Sequence, residues 1–143
     1  MRANVAMILE GAYAAWAARD LSGTLACFAE DVTYIIHLPP DLEPFAGEVH
    51  GRADLAKLLS DFLGAFDVLE YMPLQITPDG EIMHSRVQFH YRHKVTGLSY
   101  EGRVRHVWRV EGDRIERFEE FHDVERVRTF FKLVEQACRE QGT

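Results

Sequence analysis

The chain has 143 residues, 47% of them hydrophobic and 27% charged, which is ordinary for one globular domain spanning residues 1–143. Its net charge of −7 excludes the basic face that nucleic acid or an anionic membrane surface requires, so neither is an expected partner. It fits a soluble protein with a neutral or cationic small ligand.

The first segment, MRANVAMILEGAYAAW, reaches Glu10 before any long apolar run. It reads as neither a secretion signal nor a membrane span. Val5, Ile8, Leu9, Ala12, Tyr13 and Trp16 recur at helical spacing and predict a first amphipathic helix. Asp20 is placed to cap a short second helix with Leu21, Leu25 and Phe28 along one side. Cys27 falls in that stretch and reads as inert packing. The second cysteine, Cys138, is far away in sequence and completes no metal spacing, so a reducing cytoplasm is the expected compartment.

DVTYIIHL (Asp31–Leu38) gathers β-branched and aromatic residues and predicts a strand. The proline-rich piece LPPDLEPFAG (Leu38–Gly47) is a long loop within the domain. The clearest helix follows in HGRADLAKLLSDFLGAF, with Leu55, Leu58, Leu59, Phe62, Leu63 and Phe66 on one stripe. From Val68 the period becomes two. Strands are expected over Val68–Thr77, Glu81–Lys94, Leu98–Glu111 and Arg114–His122, joined by the hairpin signals PDG, TG and EGD. Asp123 caps a last helix that turns Val124, Val127, Phe130, Phe131, Val134 and Cys138 inward.

This order predicts an α+β fold. A cone-shaped, strongly curved, mostly antiparallel sheet wraps the N-terminal helices, and an extra helix closes the C-terminus. Side chains pointing into the cone's mouth form the expected pocket. Its walls are Tyr34 and Ile36, then Phe62 and Phe66, then Val87, Phe89 and Tyr91, with Val104, Trp108 and Phe118 opposite. Aromatics in excess over aliphatics suit a small, flat or cyclic apolar molecule; a fully packed core is the other reading of the same residues.

Three stretches carry a family resemblance: AARDLSGTLACFAEDVTY (Ala17–Tyr34), PFAGEVHGRADL (Pro44–Leu55) and RHVWRVEGDRIERFEEFHD (Arg105–Asp123). Over about Ala12 to Asp123 the chain resembles the nuclear-transport-factor-2-like superfamily. That group includes ketosteroid isomerases, scytalone dehydratase, limonene epoxide hydrolase and SnoaL-type polyketide cyclases. The resemblance is specific for the fold and poorly specific for the reaction. Where the steroid isomerases carry their Asp base, this chain has Ile36. The position of their uncharged oxyanion acid corresponds to His106, and their oxyanion tyrosine lies one residue from Tyr13. The steroid-isomerase mechanism therefore does not carry over. By the likeness to epoxide hydrolases, Glu120 matches a carboxylate that helps activate water.

Within RVRHVWRV (Arg103–Val110) the residues Val104, His106, Trp108 and Val110 share one strand face. His106 has two readings: a core histidine satisfied by a neighbouring carbonyl, Tyr or Glu, or a neutral imidazole serving as acid/base or oxyanion donor. His37 is expected opposite Tyr34, facing solvent or a partner copy, unless Pro39 and Pro40 turn it toward the mouth. Glu120 and His122 share a face with Phe118, but the charged run RIERFEEFHD also reads as a solvated edge strand. His84, Arg86, Gln88, His90 and Arg92 make an outer face against Met83, Val87, Phe89 and Tyr91. No metal spacing, phosphate loop or cofactor fingerprint occurs, so no metal and no cofactor are expected.

Two functions fit. One is a cofactor-free isomerase, cyclase or dehydratase acting on a small apolar carbonyl compound, with His106 central and Tyr13, Tyr34 or Tyr91 helping. The other is a non-catalytic ligand-binding or dimerisation module. A homodimer through the outer sheet face fits either.

Overall fold

The structure, a computed structural model, describes residues 2–42 and 45–141, with side chains from Val5 onward. Two helices open it, α1 (Arg2–Ala17) and α2 (Leu21–Leu25), followed by strand β1 (Phe28–His37). Asp20 caps α2, its Oδ1 accepting from the Gly23 amide at 2.9 Å. A 3₁₀ turn over Pro40–Leu42 and a short strand β2 (Gly47–His50) lead into α3 (Arg52–Ala65). The middle of the proline loop, Glu43 and Pro44, lies outside the described residues.

The period-two region becomes β3 (Phe66–Asp79), β4 (Ile82–His93), β5 (Ser99–Glu111) and β6 (Arg114–Phe121), and α4 (Val124–Gln141) closes the chain. Gly80, Gly97 and Gly112 take φ of +64°, +76° and +62° in the three hairpin turns, a region that L side chains avoid.

The strands form one curled six-stranded sheet in the order β2-β1-β6-β5-β4-β3. Every pairing is antiparallel except β1 with β6. Helices α1 and α3 cover its inner face. There Leu9, Tyr13 and Trp16 of α1 meet Val32, Val87, Phe89 and Trp108 in the main core. Helix α4 is tied on by its aromatic stripe. Phe130 and Val134 pack with Phe66, joined by Phe45, Phe62, Tyr91, Tyr100 and Phe131.

Four expectations are corrected here. Phe28 starts β1 instead of extending α2, because it pairs with Ile115 of β6 and the neighbouring Cys27 carbonyl accepts from the Ile115 amide at 2.8 Å. Cys27 accordingly sits in the turn after α2 and is half-buried. The strand β2, too short and polar to announce itself, pairs along β1 from Thr33 to Ile36. The charged run is no edge: β6 lies between β5 and β1, and only its alternate residues face outward. Cys138 is exposed, because the buried stripe of α4 ends at Val134.

Ile115, wholly buried at the middle of the sheet, tests this architecture. Ile115→Ala is expected to cost about 2–5 kcal/mol in urea unfolding. Leu133→Ala, on the outer side of α4 at 51% exposure, should change stability by no more than about 0.5 kcal/mol.

Candidate functional site

Strand register sets the site. Ile36 of β1 lies beside Glu120 of β6, Glu120 beside His106 of β5, His106 beside Ser85 of β4, and Ser85 beside Ile76 of β3. Because side chains directly opposite in paired strands share a face, these five residues form one row across the inner surface. Position 36, where the resemblance led us to look for a carboxylate, is apolar, and the carboxylate stands one strand over. Helix α1 lays Tyr13 across the same row.

The row is joined by hydrogen bonds. Glu120 Oε1 is 2.9 Å from His106 Nε2, and Glu120 Oε2 is 2.6 Å from His122 Nε2. His106 Nδ1 is 2.8 Å from the Tyr13 hydroxyl. Tyr13 also meets the Ser85 hydroxyl, and the Trp108 indole N–H donates to both oxygens, at 2.9 Å to Tyr13 and 2.8 Å to Ser85. Each imidazole N–H points at a carboxylate oxygen, the shortest and strongest class of such contact. His106 is held at both ring nitrogens, whereas His122 Nδ1 is buried with no partner among the described residues.

Burial governs the electrostatics. It would raise the Glu120 carboxyl, but attraction to His122 and the bonds from both imidazoles outweigh it and hold the group well below the usual carboxylate range. Burial lowers His106 below its ordinary range against the opposing pull of Glu120, favouring the neutral ring. Burial likewise pushes the Tyr13, Tyr34, Tyr71 and Tyr91 phenols upward, so all four stay protonated.

Beside this row lies a cavity of about 120 Å³. Nine of the ten expected wall residues line it, Tyr34, Ile36, Phe62, Phe66, Phe89, Tyr91, Val104, Trp108 and Phe118, whereas Val87 is wholly buried in the core. Tyr71 and Tyr100 add further rings, and Phe45 with Phe130 and Phe131 closes one side. Among the described residues Glu120 is the one carboxylate in the lining, and no Lys or Arg joins it.

His106 differs from expectation. It is 0% exposed, walled by Phe118 and Trp108, and lies behind the lining rather than in it. The imidazole at the cavity is His122, and the carboxylate there is Glu120. Tyr13 reaches the cavity, but its hydroxyl is engaged by His106, Ser85 and Trp108. His37 stays outside, bonded to Glu119 at 2.9 Å and stacked on Phe121, so the prolines do not turn it inward. Ser85 was missed. It has the inward parity of Met83 and Val87, and that parity was the available signal. Among the described residues no group of three or more His, Cys, Asp or Glu side chains is placed to hold a metal ion. No helix there is long and apolar enough to cross a membrane.

The family model of the SnoaL-like domain matches residues 9–118. No curated protein matches the chain. Among solved structures, an NTF2-like protein of unknown function from Burkholderia pseudomallei is 27% identical, with TM-score 0.72 over 84% of this chain and 91% of that one. A provisionally assigned isomerase from Bacillus subtilis reaches TM-score 0.80 at 16% identity, over 90% and 93%. A provisionally assigned polyketide cyclase from Xanthomonas campestris gives 0.71 at 18%, over 85% and 92%. The last two establish likeness of fold.

Acid should weaken this protein in two stages. His106 takes its proton later in the folded chain than at the ordinary 6.5. The unfolded chain therefore binds more protons below that pH, and stability falls. Glu120 acts with the same sign below its ordinary 4.5, because its stabilisation is complete above that value and is lost as protonation reaches the folded carboxylate. Urea unfolding across this range should show both declines. In His106→Gln the first should shrink to the share that His93, also lowered by burial, retains, although that variant is less stable throughout.

Proposed function

The chain belongs to the SnoaL-like domain family, and from that premise we propose that it is an enzyme of proton transfer on a small, largely apolar cyclic or aromatic carbonyl compound. Protein groups alone supply acid and base, and the reaction is an isomerisation, cyclisation or dehydration. One observation carries this reading: a carboxyl group, anchored through both oxygens by two imidazoles, stands in a cavity walled almost wholly by apolar side chains, most of them aromatic.

Glu120 takes the proton from the carbon next to the substrate carbonyl. The electron pair moves onto the carbonyl oxygen as an enolate, and a neutral phenol stabilises it where water is scarce. Tyr34 and Tyr71 have no hydrogen-bond partner for their hydroxyls among the described residues. The Tyr91 oxygen already accepts from Trp16 Nε1 at 3.0 Å, which leaves its own proton to give. The proton then returns from Glu120 to another carbon (isomerisation), to a departing hydroxyl (dehydration), or to the alkoxide formed when the enolate carbon bonds to a second carbonyl carbon (cyclisation), so the enzyme ends unchanged.

The size of the cavity narrows the substrate. At about 120 Å³ it approaches the roughly 150 Å³ apolar cavity that accommodates benzene. A single ring therefore suits it better than a fused polycycle. The fold neighbours assigned provisionally as isomerase and polyketide cyclase support the class of chemistry but not the identity of the substrate. The same reading includes a homodimer through the outer sheet face, where Met72 and Ile82 are exposed at 46% and 39%. Light scattering at twice the mass of one chain is the expected result.

Single-ring ketones in heavy water, followed by proton NMR, test the chemistry without knowledge of the natural substrate. The protein should speed deuterium uptake beside the carbonyl, and Glu120→Gln should slow it by about 10²–10⁴. Exchange no faster than in buffer, or untouched by that substitution, overturns the proposal. Binding without exchange would assign the cavity to ligand holding instead.

A further inference from the structure

We propose that Tyr13 is a positioning residue whose hydroxyl fixes the tautomer of His106 and so keeps Glu120 available as a proton acceptor. The inference rests on the reading of Glu120 given above and adds a residue that never meets the substrate through its reactive group.

The argument is an accounting of protons along the chain Ser85–Tyr13–His106–Glu120. The Trp108 indole can only donate, and it gives its N–H to the Tyr13 and Ser85 oxygens. The Ser85 proton then has one acceptor within reach, the Tyr13 oxygen. With that oxygen accepting from Ser85 and Trp108, the Tyr13 proton has one destination left, His106 Nδ1 at 2.8 Å. A neutral imidazole that accepts at Nδ1 must carry its hydrogen on Nε2. That hydrogen points at Glu120 Oε1, 2.9 Å away, and the oxygen can accept it only if it is unprotonated. Every group on the path is satisfied, and the direction is unique.

The opposite direction fails at its far end. A proton on Glu120 facing His106 would give to Nε2, His106 would give from Nδ1 to Tyr13, and Tyr13 would give to Ser85. The Ser85 proton would then have no acceptor, a costly outcome for a residue only 2% exposed. Protonation of Glu120 on the oxygen that faces His106 is thus opposed from a point three side chains away.

Other groups around Glu120 do not replace this control. His122 at the end of β6 donates to the second carboxylate oxygen but is held from one side only. The phenols of Tyr34 on β1, Tyr71 on β3 and Tyr91 on β4 face the carboxylate as neutral groups. Helices α3 and α4 contribute only apolar side chains to the lining. Tyr13 is therefore the branch point, and Ser85 only the end of the line.

Nitrogen-15 NMR of the ligand-free protein reads the tautomer, the His106 signals being those lost in His106→Gln. The wild type should carry the His106 hydrogen on Nε2, a measurement that needs no variant to fold. In Tyr13→Phe the Glu120 midpoint in carbon-13 titration should rise by about one pH unit, and the Nδ1-protonated ring should appear as Glu120 takes its proton. Ser85→Ala should keep the wild-type tautomer, because Tyr13 can still donate to His106. A merely structural role for Tyr13 would shift neither signal. Hydrogen on Nδ1 in the wild type, or an unmoved Glu120 midpoint in Tyr13→Phe, overturns the proposal. Because no substrate is present, this result is independent of the deuterium exchange. Failure of exchange with the tautomer dependence intact would remove the catalytic reading alone.

Discussion

A carboxylate kept ionised inside an apolar interior is the constraint on which the rest of this protein depends. Moving such a charge out of water costs several kcal/mol unless it is paired and fully hydrogen-bonded. Glu120 meets that condition through two imidazole N–H groups, at 2.9 and 2.6 Å, one per oxygen. His106 is in turn bound at its other nitrogen by Tyr13, and Tyr13 by Ser85 and Trp108. A half-satisfied network of this kind would be worse than plain hydrocarbon. Completeness at the His106 end lets the fold carry the charge.

The sheet makes the arrangement possible with little local effort. Four of the five residues in the central row, Ile36, Glu120, His106 and Ser85, come from parts of the chain far apart in sequence, yet register alone sets them side by side. The parallel pairing of β1 with β6 is the critical step. It moves the charged C-terminal strand from the rim to the middle of the sheet. Its alternation then divides the charges, with Arg117 and Glu119 outside and Glu120 inside.

The SnoaL-like match ends at residue 118, just before Glu120, His122 and the helix whose Phe130 and Phe131 close the cavity. The shared portion accounts for the cone. The polar centre draws on both sides of that boundary: Tyr13, Ser85 and His106 lie within the match, and Glu120 and His122 lie beyond it. Ile36, at the place where the resemblance puts the steroid-isomerase base, is apolar, and the carboxylate of this chain stands beside it on β6.

Much of this was legible from the residues alone. Alternation placed Phe89, Tyr91, Val104, Trp108 and Phe118 inward, and hairpin glycines marked the turns, because a strand's two faces and a turn's positive φ are local requirements. The inward face of His106 and the shared face of Glu120 and His122 were local in the same way. Strand parity does not say which strands are neighbours. Whether RIERFEEF is an edge or a centre, whether Phe28 joins a helix or a strand, and whether His106 opens to the cavity or hides behind it all depend on contacts between distant segments. Sequence by itself determined the periodic elements, the aromatic wall and the kind of fold. Only the tertiary structure decided that Glu120, with Tyr13 behind His106, forms the polar centre, since a buried charge takes its state from partners that pairing brings together.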